Sequence, residues 1–147
     1  MGEIVRRVSW EKAGVIRDMG VEIVTAEDLG TVTADPTHIY QLFSNLIGNA
    51  LAYNDSQEPR VTIGHEREEG GRHRYWVWDN GPGIPSGDRD RIFAPLFKGK
   101  DGGTGIGLAI VKKVVDLYGG EIEVHNKGGA RFEFTLGKAQ QGKDIDR

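Results

Sequence analysis

Asp79 stands at the end of an alternating apolar run and is followed at once by Asn80-Gly81-Pro82-Gly83-Ile84-Pro85. A carboxylate buried at a strand end can accept a hydrogen bond from the exocyclic amine of adenine. Gly81 and Gly83 carry no side chain, so a flat base can lie against the backbone. The same dipeptides also mark ordinary surface turns, and the stretch alone fits both readings. Asn45 and Asn49 lie at i and i+4, so a helix sends both side chains out of one face. Amide oxygens are hard donors that suit Mg²⁺, which keeps water and phosphate as its other ligands. Two asparagines satisfying buried backbone groups fit the spacing equally. Tyr53, one turn further on, can pack against a base or close the core. The third constellation is Lys98-Gly99-Lys100-Asp101-Gly102-Gly103-Thr104-Gly105-Ile106-Gly107-Leu108. A glycine run entering a helix presents free N–H groups and the positive end of the dipole to an anion. Lys98 and Lys100 can neutralise terminal phosphates; the alternative is a surface loop with two solvated lysines. Asp101 follows Gly99-Lys100 where a Walker loop needs Ser or Thr, and the later glycines fall as G-x-G-x-G, which is not the dinucleotide fingerprint. Together the three constellations describe a nucleotide site with an adenine end, a metal in the middle and a phosphate end.

These residues need elements to position them. Asp35-Pro36 is a helix start, an N-cap carboxylate followed by proline at the first helical position. From there Ile39, Leu42, Phe43, Leu46, Ile47, Ala50, Leu51 and Tyr53 trace one broad arc to about Tyr53, while His38, Gln41, Ser44, Asn45, Gly48, Asn49 and Ala52 trace the other. No residue from Pro36 to Asn54 is Asp, Glu, Lys or Arg. A solvated helix face normally carries such charges, so something is expected to cover this one. Upstream, Glu3 to Asp18 reads as a helix with Ile4, Val8, Val15 and Met19 as its stripe, stopped by Gly20. Val21–Thr25 reads as a strand and Gly30–Ala34 as a short second one. Arg60–Glu66 and Arg74–Asp79 read as a hairpin joined through Gly70-Gly71. A short helix is expected around Ser86–Phe93 and a longer one from about Gly105 to Tyr118, with Leu108, Val111, Val115 and Tyr118 as its stripe and Gly119-Gly120 as its stop. Glu121–Asn126 and Arg131–Leu136 read as a last hairpin.

Composition sets the outer bounds. The 147 residues suit one domain, residues 1–137, with a polar tail over 138–147. A net charge of -3 gives no electrostatic case for nucleic acid. There is no cysteine, which excludes disulfides and thiolate chemistry. No apolar run approaches the ~18 residues of a membrane span. The 22 glycines are clustered, as turns or close backbone approach to a ligand require.

The motifs together resemble a known family. Phe43-Ser44-Asn45-Leu46-Ile47-Gly48-Asn49-Ala50 resembles the asparagine box of sensor histidine kinases, and Asp79 to Pro85 their first glycine box. Ile92-Phe93-Ala94-Pro95-Leu96-Phe97 resembles the phenylalanine box, and Gly103 to Leu108 the second glycine box. The resemblance runs from about Glu3 to Leu136. It implies the Bergerat ATP-binding fold shared by gyrase, Hsp90, MutL and the histidine kinases: an α/β (α+β) sandwich. Its mixed, mainly antiparallel sheet carries helices on one face and an ATP lid over about 94–105. By the same resemblance Asn49 is the Mg²⁺ ligand, and Asn45 and Lys100 stand near the transferring phosphoryl group. Asp79 binds the adenine amine. Tyr53, Gly81, Gly83, Ile84, Phe93, Lys98, Gly103, Thr104, Gly105, Gly107 and Leu108 complete the ATP site. Two departures stand out: Ala52 occupies a position that is often basic, and the lid is short.

The resemblance also separates kinase from hydrolase. Gyrase-like ATPases place a water-activating glutamate four residues before the metal asparagine, where this chain has Asn45. An amide is no general base. Positioning and charge neutralisation, which phosphoryl transfer mainly needs, remain available. The expected activity is therefore transfer from Mg-ATP to a histidine on a separate dimerisation and phosphoacceptor domain, with a response regulator downstream. His38, His65, His73 and His125 lack the expected acceptor context. A serine kinase of the anti-sigma-factor type and a nucleotide-binding module without catalysis are the alternatives. ATP implies a cytoplasmic domain, and this segment is expected to be monomeric.

Overall fold

The computed structural model describes residues 1–52, 54–85, 87–89, 91–93 and 107–137. Helix α1 spans Gly2–Glu11, α2 Ala13–Met19, α3 Pro36–Ala52 and α4 Gly107–Leu117. Strands β1 Glu22–Thr25, β2 Arg60–Arg67, β3 His73–Asp79, β4 Ile122–Asn126 and β5 Ala130–Leu136 form one sheet in the order β1-β2-β3-β5-β4. Strand β1 runs parallel to β2, and every other pair is antiparallel. The parallel pair needs a crossover, and α3 lies within it. This is the mixed, mainly antiparallel α/β sandwich expected above.

Period-two patterning divides the strand residues between two faces. Tyr75, Val77 and Asp79 of β3 and Phe132, Phe134 and Leu136 of β5 are buried beneath the helices. There they meet Leu42, Phe43, Leu46, Ile47 and Ala50 of α3, as well as Val111 and Val115 of α4. Phe43 meets Tyr75 and Phe134 edge-on, at ring separations of 6.0 and 5.7 Å. Each such side chain removed from water contributes about 1.5–3 kcal/mol before entropy is counted. No described helix covers the opposite face. Trp76 lies flat across Gly64, where a Cβ would come within 2.1 Å of the indole. The Arg131 guanidinium stacks over Trp76 and Trp78 at 4.6 and 4.9 Å.

Helix α3 begins as expected, with Asp35 Oδ1 accepting from the Thr37 N–H at 2.9 Å. Helix α4 ends as expected at Gly119, which has a φ of 71°. Three expectations fail. The N-terminal helix breaks at Lys12, whose φ and ψ of -99° and 14° interrupt the run before Gly14. The first half keeps Val5 and Val8 in the core, and the break rotates the second half so that Val15 and Met19 face solvent. Residues Gly30–Ala34 form no strand. That stretch follows a segment pinned by side chains: the Tyr75 hydroxyl donates to the Leu29 carbonyl at 2.7 Å, and Asp28 Oδ1 accepts from the Gly30 N–H at 2.8 Å. The described residues between Ser86 and Phe93 form successive turns instead of a helix, closed by Asp88 N–H to Pro85 O and Arg91 N–H to Asp88 O.

Candidate functional site

Strand β3 delivers Asp79 to the covered face at its C-terminal end, where the residue is 6% exposed. Oδ1 of its carboxylate accepts from the Gly81 N–H at 2.8 Å and from the Ala130 N–H at 3.2 Å. The other oxygen has no partner among the described residues. Burial raises the pKa of the carboxyl, and the two backbone N–H groups oppose that rise by stabilising the ionised form. The arrangement leaves the second oxygen of a buried side chain as an acceptor oriented by its occupied partner. Such an oxygen suits an amine donor in a water-poor pocket.

The turn after Asp79 is fixed at both ends. Asn80 Oδ1 accepts from Asn54 Nδ2 and from the Arg60 N–H, each at 2.8 Å, while Asn80 Nδ2 donates to the Glu58 carbonyl at 2.9 Å. Gly83 has a φ of 84°, which only glycine adopts without strain. Ile84 is half-buried and packs against the core. Phe93 meets Phe132 edge-on at 6.1 Å, which places this one residue of the phenylalanine motif against the sheet.

Asn45 and Asn49 share the outward face of α3 and are both half-buried. Asn45 Nδ2 donates back to the Gln41 carbonyl at 2.8 Å, which leaves its oxygen outward. Asn49 has no hydrogen-bond partner among the described residues. The Lys12 ammonium reaches over this neutral face, 3.4 Å from where a Cβ on Gly48 would stand.

Helix pairing brings these pieces to one end of the sandwich. The Tyr118 hydroxyl accepts from the Asp35 N–H at 2.9 Å and shares a hydrogen bond with His38 Nδ1 at 2.8 Å. The end of α4 therefore meets the start of α3, and the two helices pack antiparallel. The 11 residues of α4 carry its N-terminus back by about 17 Å at 1.5 Å per residue, to the level of Asn49. The bond from Asn54 to Asn80 ties the end of α3 to the residue after Asp79. Asp79, Asn49 and the start of α4 at Gly107 and Leu108 thus lie at the same end. Tyr53, Lys98, Lys100, Gly103, Thr104 and Gly105, the lid over 94–105 and the tail over 138–147 lie outside the described residues.

The described residues gather no group of three or more His, Cys, Asp or Glu side chains as for a metal ion. The candidate oxygen donors for a cation here are instead the amide oxygens of Asn45 and Asn49, which are hard enough for Mg²⁺, an ion that usually keeps several waters and binds substrate phosphates. The histidines have structural partners: His38 bonds Tyr118, His65 and His73 bond each other at 2.8 Å, and His125 faces Glu123 at 3.1 Å. A separate groove of about 1050 Å³, lined by Trp10, Ile16 and Ile23 among others, shares no residue with this site.

A sheet covered on one face, with a buried acidic turn and a helix N-terminus gathered at one end, defines a nucleotide-binding α/β sandwich. Residues 34–140 match the family described as histidine kinase-, DNA gyrase B-, and HSP90-like ATPases, and the chain belongs to that family. It is 38% identical over 144 residues to cyanobacterial phytochrome B of Nostoc sp. (strain PCC 7120 / SAG 25.82 / UTEX 2576). That alignment covers 92% of this chain and 19% of the relative, so the chain spans about a fifth of the relative's length. The catalytic domain of histidine kinase ThkA superposes with a TM-score of 0.82 at 34% identity, over 94% of this chain and 92% of that one. ThkA in complex with the response regulator protein TrrA gives 0.76 at 30% identity, over 92% of this chain and 40% of that one. Among the described residues, no helix is long and apolar enough to cross a membrane.

Proposed function

We propose that this chain is the ATP-binding catalytic domain of a protein histidine kinase, passing the γ-phosphoryl group of Mg-ATP to a histidine on a separate phosphoacceptor domain. One observation carries the reading: the Asp79 carboxylate oxygen without a partner among the described residues lies at the same end of the sandwich as Asn49 and the start of α4. Asp79 recognises the adenine amine, with Gly81, Gly83 and Ile84 as the backbone surface beneath the base. Phe93 and Leu108 close the apolar side.

The residues present fit a magnesium ion. Asn49 offers an amide oxygen that no described residue engages, and Asn45, tethered to Gln41, offers a second polar group one turn away. Mg²⁺ bound there supplies charge neutralisation on the phosphates. The positive end of the α4 dipole adds to it, as do Lys98 and Lys100. In the transfer a nitrogen–phosphorus bond forms on the acceptor imidazole, the bond to the bridging oxygen breaks, and ADP leaves. No carboxylate stands at Asn45 to activate water, which favours transfer over hydrolysis. The ThkA–TrrA complex supports a response regulator as the downstream partner. Binding of ATP supports a cytoplasmic location.

Incubation with labelled ATP and a purified acceptor-histidine domain tests the reading. An acid-labile phosphohistidine on that domain is the expected product. Acid-stable phosphoserine on a partner protein would instead mark a serine kinase. Nucleotide binding with no transfer to either would leave a binding module.

A further inference from the structure

No sequence pattern connects the β4–β5 hairpin to the glycine turn, yet the two are bonded across 42 residues. Asn126 ends β4. Its Oδ1 accepts from the Ile84 N–H at 2.9 Å, and its Nδ2 donates to the Ile84 carbonyl at 2.8 Å. This is the two-bond exchange by which antiparallel strand residues pair, made here by a side-chain amide. The approach is close: a Cβ on Gly83 would lie 2.7 Å from Asn126 Oδ1.

The same hairpin also holds the other end of the turn. Ala130 donates to Asp79 Oδ1, and the Lys127 carbonyl accepts from Trp78 Nε1 at 2.8 Å. Gly129 packs so tightly that a Cβ there would lie 2.0 Å from the Asp79 carbonyl oxygen. Asp79 and Ile84 are therefore set relative to one another by a single rigid hairpin. Only a side chain with an acceptor and a donor side by side makes both bonds to Ile84. Aspartate lacks the donor and alanine lacks both.

We propose that Asn126 is the positioning residue for nucleobase recognition. By clamping Ile84 it fixes the gap between the Asp79 carboxylate and the Gly83-Ile84 backbone, and so the fit of a purine carrying an amine. It touches no nucleotide itself. The inference rests on the adenine reading of Asp79.

Calorimetric titration of the wild-type chain, Asn126→Ala and Asn126→Asp tests it, with ADP, GDP and magnesium tripolyphosphate as probes. Asn126→Ala is expected to weaken ADP binding about tenfold, the loss of roughly one net hydrogen bond, with tripolyphosphate affinity kept within about twofold. Its preference for ADP over GDP shrinks accordingly. In Asn126→Asp the ionised carboxylate still accepts from the Ile84 N–H but repels the Ile84 carbonyl. His125 and Lys127 flank it and Asp79 lies across the hairpin, so affinity is expressed relative to wild type at each pH. That relative affinity is expected to recover only as pH falls from about 6 to about 4, where a carboxyl with an ordinary pKa of about 3.9 becomes substantially protonated and regains the donor. The pH series decides the matter if Asn126→Ala does not fold. The inference is overturned if wild type binds ADP and the variants keep its affinity and base preference, or lose ADP and tripolyphosphate equally. Failure of wild type to bind ADP at all would overturn the nucleotide reading and this inference with it.

Discussion

Replacing Asp79 with asparagine exchanges one oxygen for an NH₂ and removes a charge at almost constant volume. The direction of the amide is dictated by its surroundings. Its oxygen must face the Gly81 and Ala130 N–H groups now held by Oδ1 at 2.8 and 3.2 Å. The reverse orientation sets donors against donors in a buried site and costs about 1–3 kcal/mol for each one left unpaired. The NH₂ then points where the free carboxylate oxygen stood, and an incoming adenine amine meets a donor. The loss is that of a charge-assisted hydrogen bond, about 1.5–3 kcal/mol, or a rise in Kd of roughly 10- to 150-fold. Stability moves differently. Burial raises the folded-state pKa of Asp79, so its favourable contribution is present below the unfolded value and is lost as pH rises through the folded value. At neutral pH the ionised carboxylate is a cost to the free protein, and Asp79→Asn removes it. The expected result is weaker binding of ADP by titration calorimetry, with a Tm without nucleotide that holds or rises. ADP affinity within about twofold of wild type would refute the adenine role, given the bond energies above.

Asn49→Ala is expected to lower Mg²⁺-dependent phosphoryl transfer about 100-fold while metal-free ADP binding changes little, checked by single-turnover kinetics and calorimetry. Gly129→Ala places a Cβ against the Asp79 carbonyl oxygen at a φ of 139°, and is expected to cost about 2 kcal/mol or more, read as a lower urea midpoint. His73 is buried, and burial, then the neighbouring His65 and Arg67, hold its pKa below the usual histidine range. Its contribution to stability is therefore full above the unfolded value and is lost as pH falls through and below it. Tm is expected to drop from about pH 7 to about pH 5, with a shallower slope in His73→Gln.

Local patterns made much of the fold legible. The stripe of α3 marked its buried face because helical periodicity and burial report the same geometry. Asp35-Pro36 marked where that helix begins. The alternation in β3 put Asp79 on one face with Tyr75 and Val77, but Trp76 and Trp78 loaded the other face too, so the helices and not the pattern decided which face is covered. The stripe of the first helix misled, because the break at Lys12 lets a later residue, Ile16, face the core where Val15 continues the straight-helix phase. Gly30–Ala34 has strand-like residues but forms no strand: its first residue, Gly30, is tied to Asp28, and Leu29 just before it to Tyr75.

The sequence by itself determined which residue types are available for a nucleotide: the carboxylate at Asp79, the amides of Asn45 and Asn49, and the absence of a water-activating acid between Pro36 and Asn54. Tertiary structure alone decided how they are presented. It antiparallel-packs α4 on α3 through Tyr118, which brings Gly107 level with Asn49. It occupies one oxygen of Asp79 with an N–H 51 residues away, and it clamps Ile84 from Asn126. Single side-chain bonds to distant backbone carry no period and no local composition, so they are written only in three dimensions.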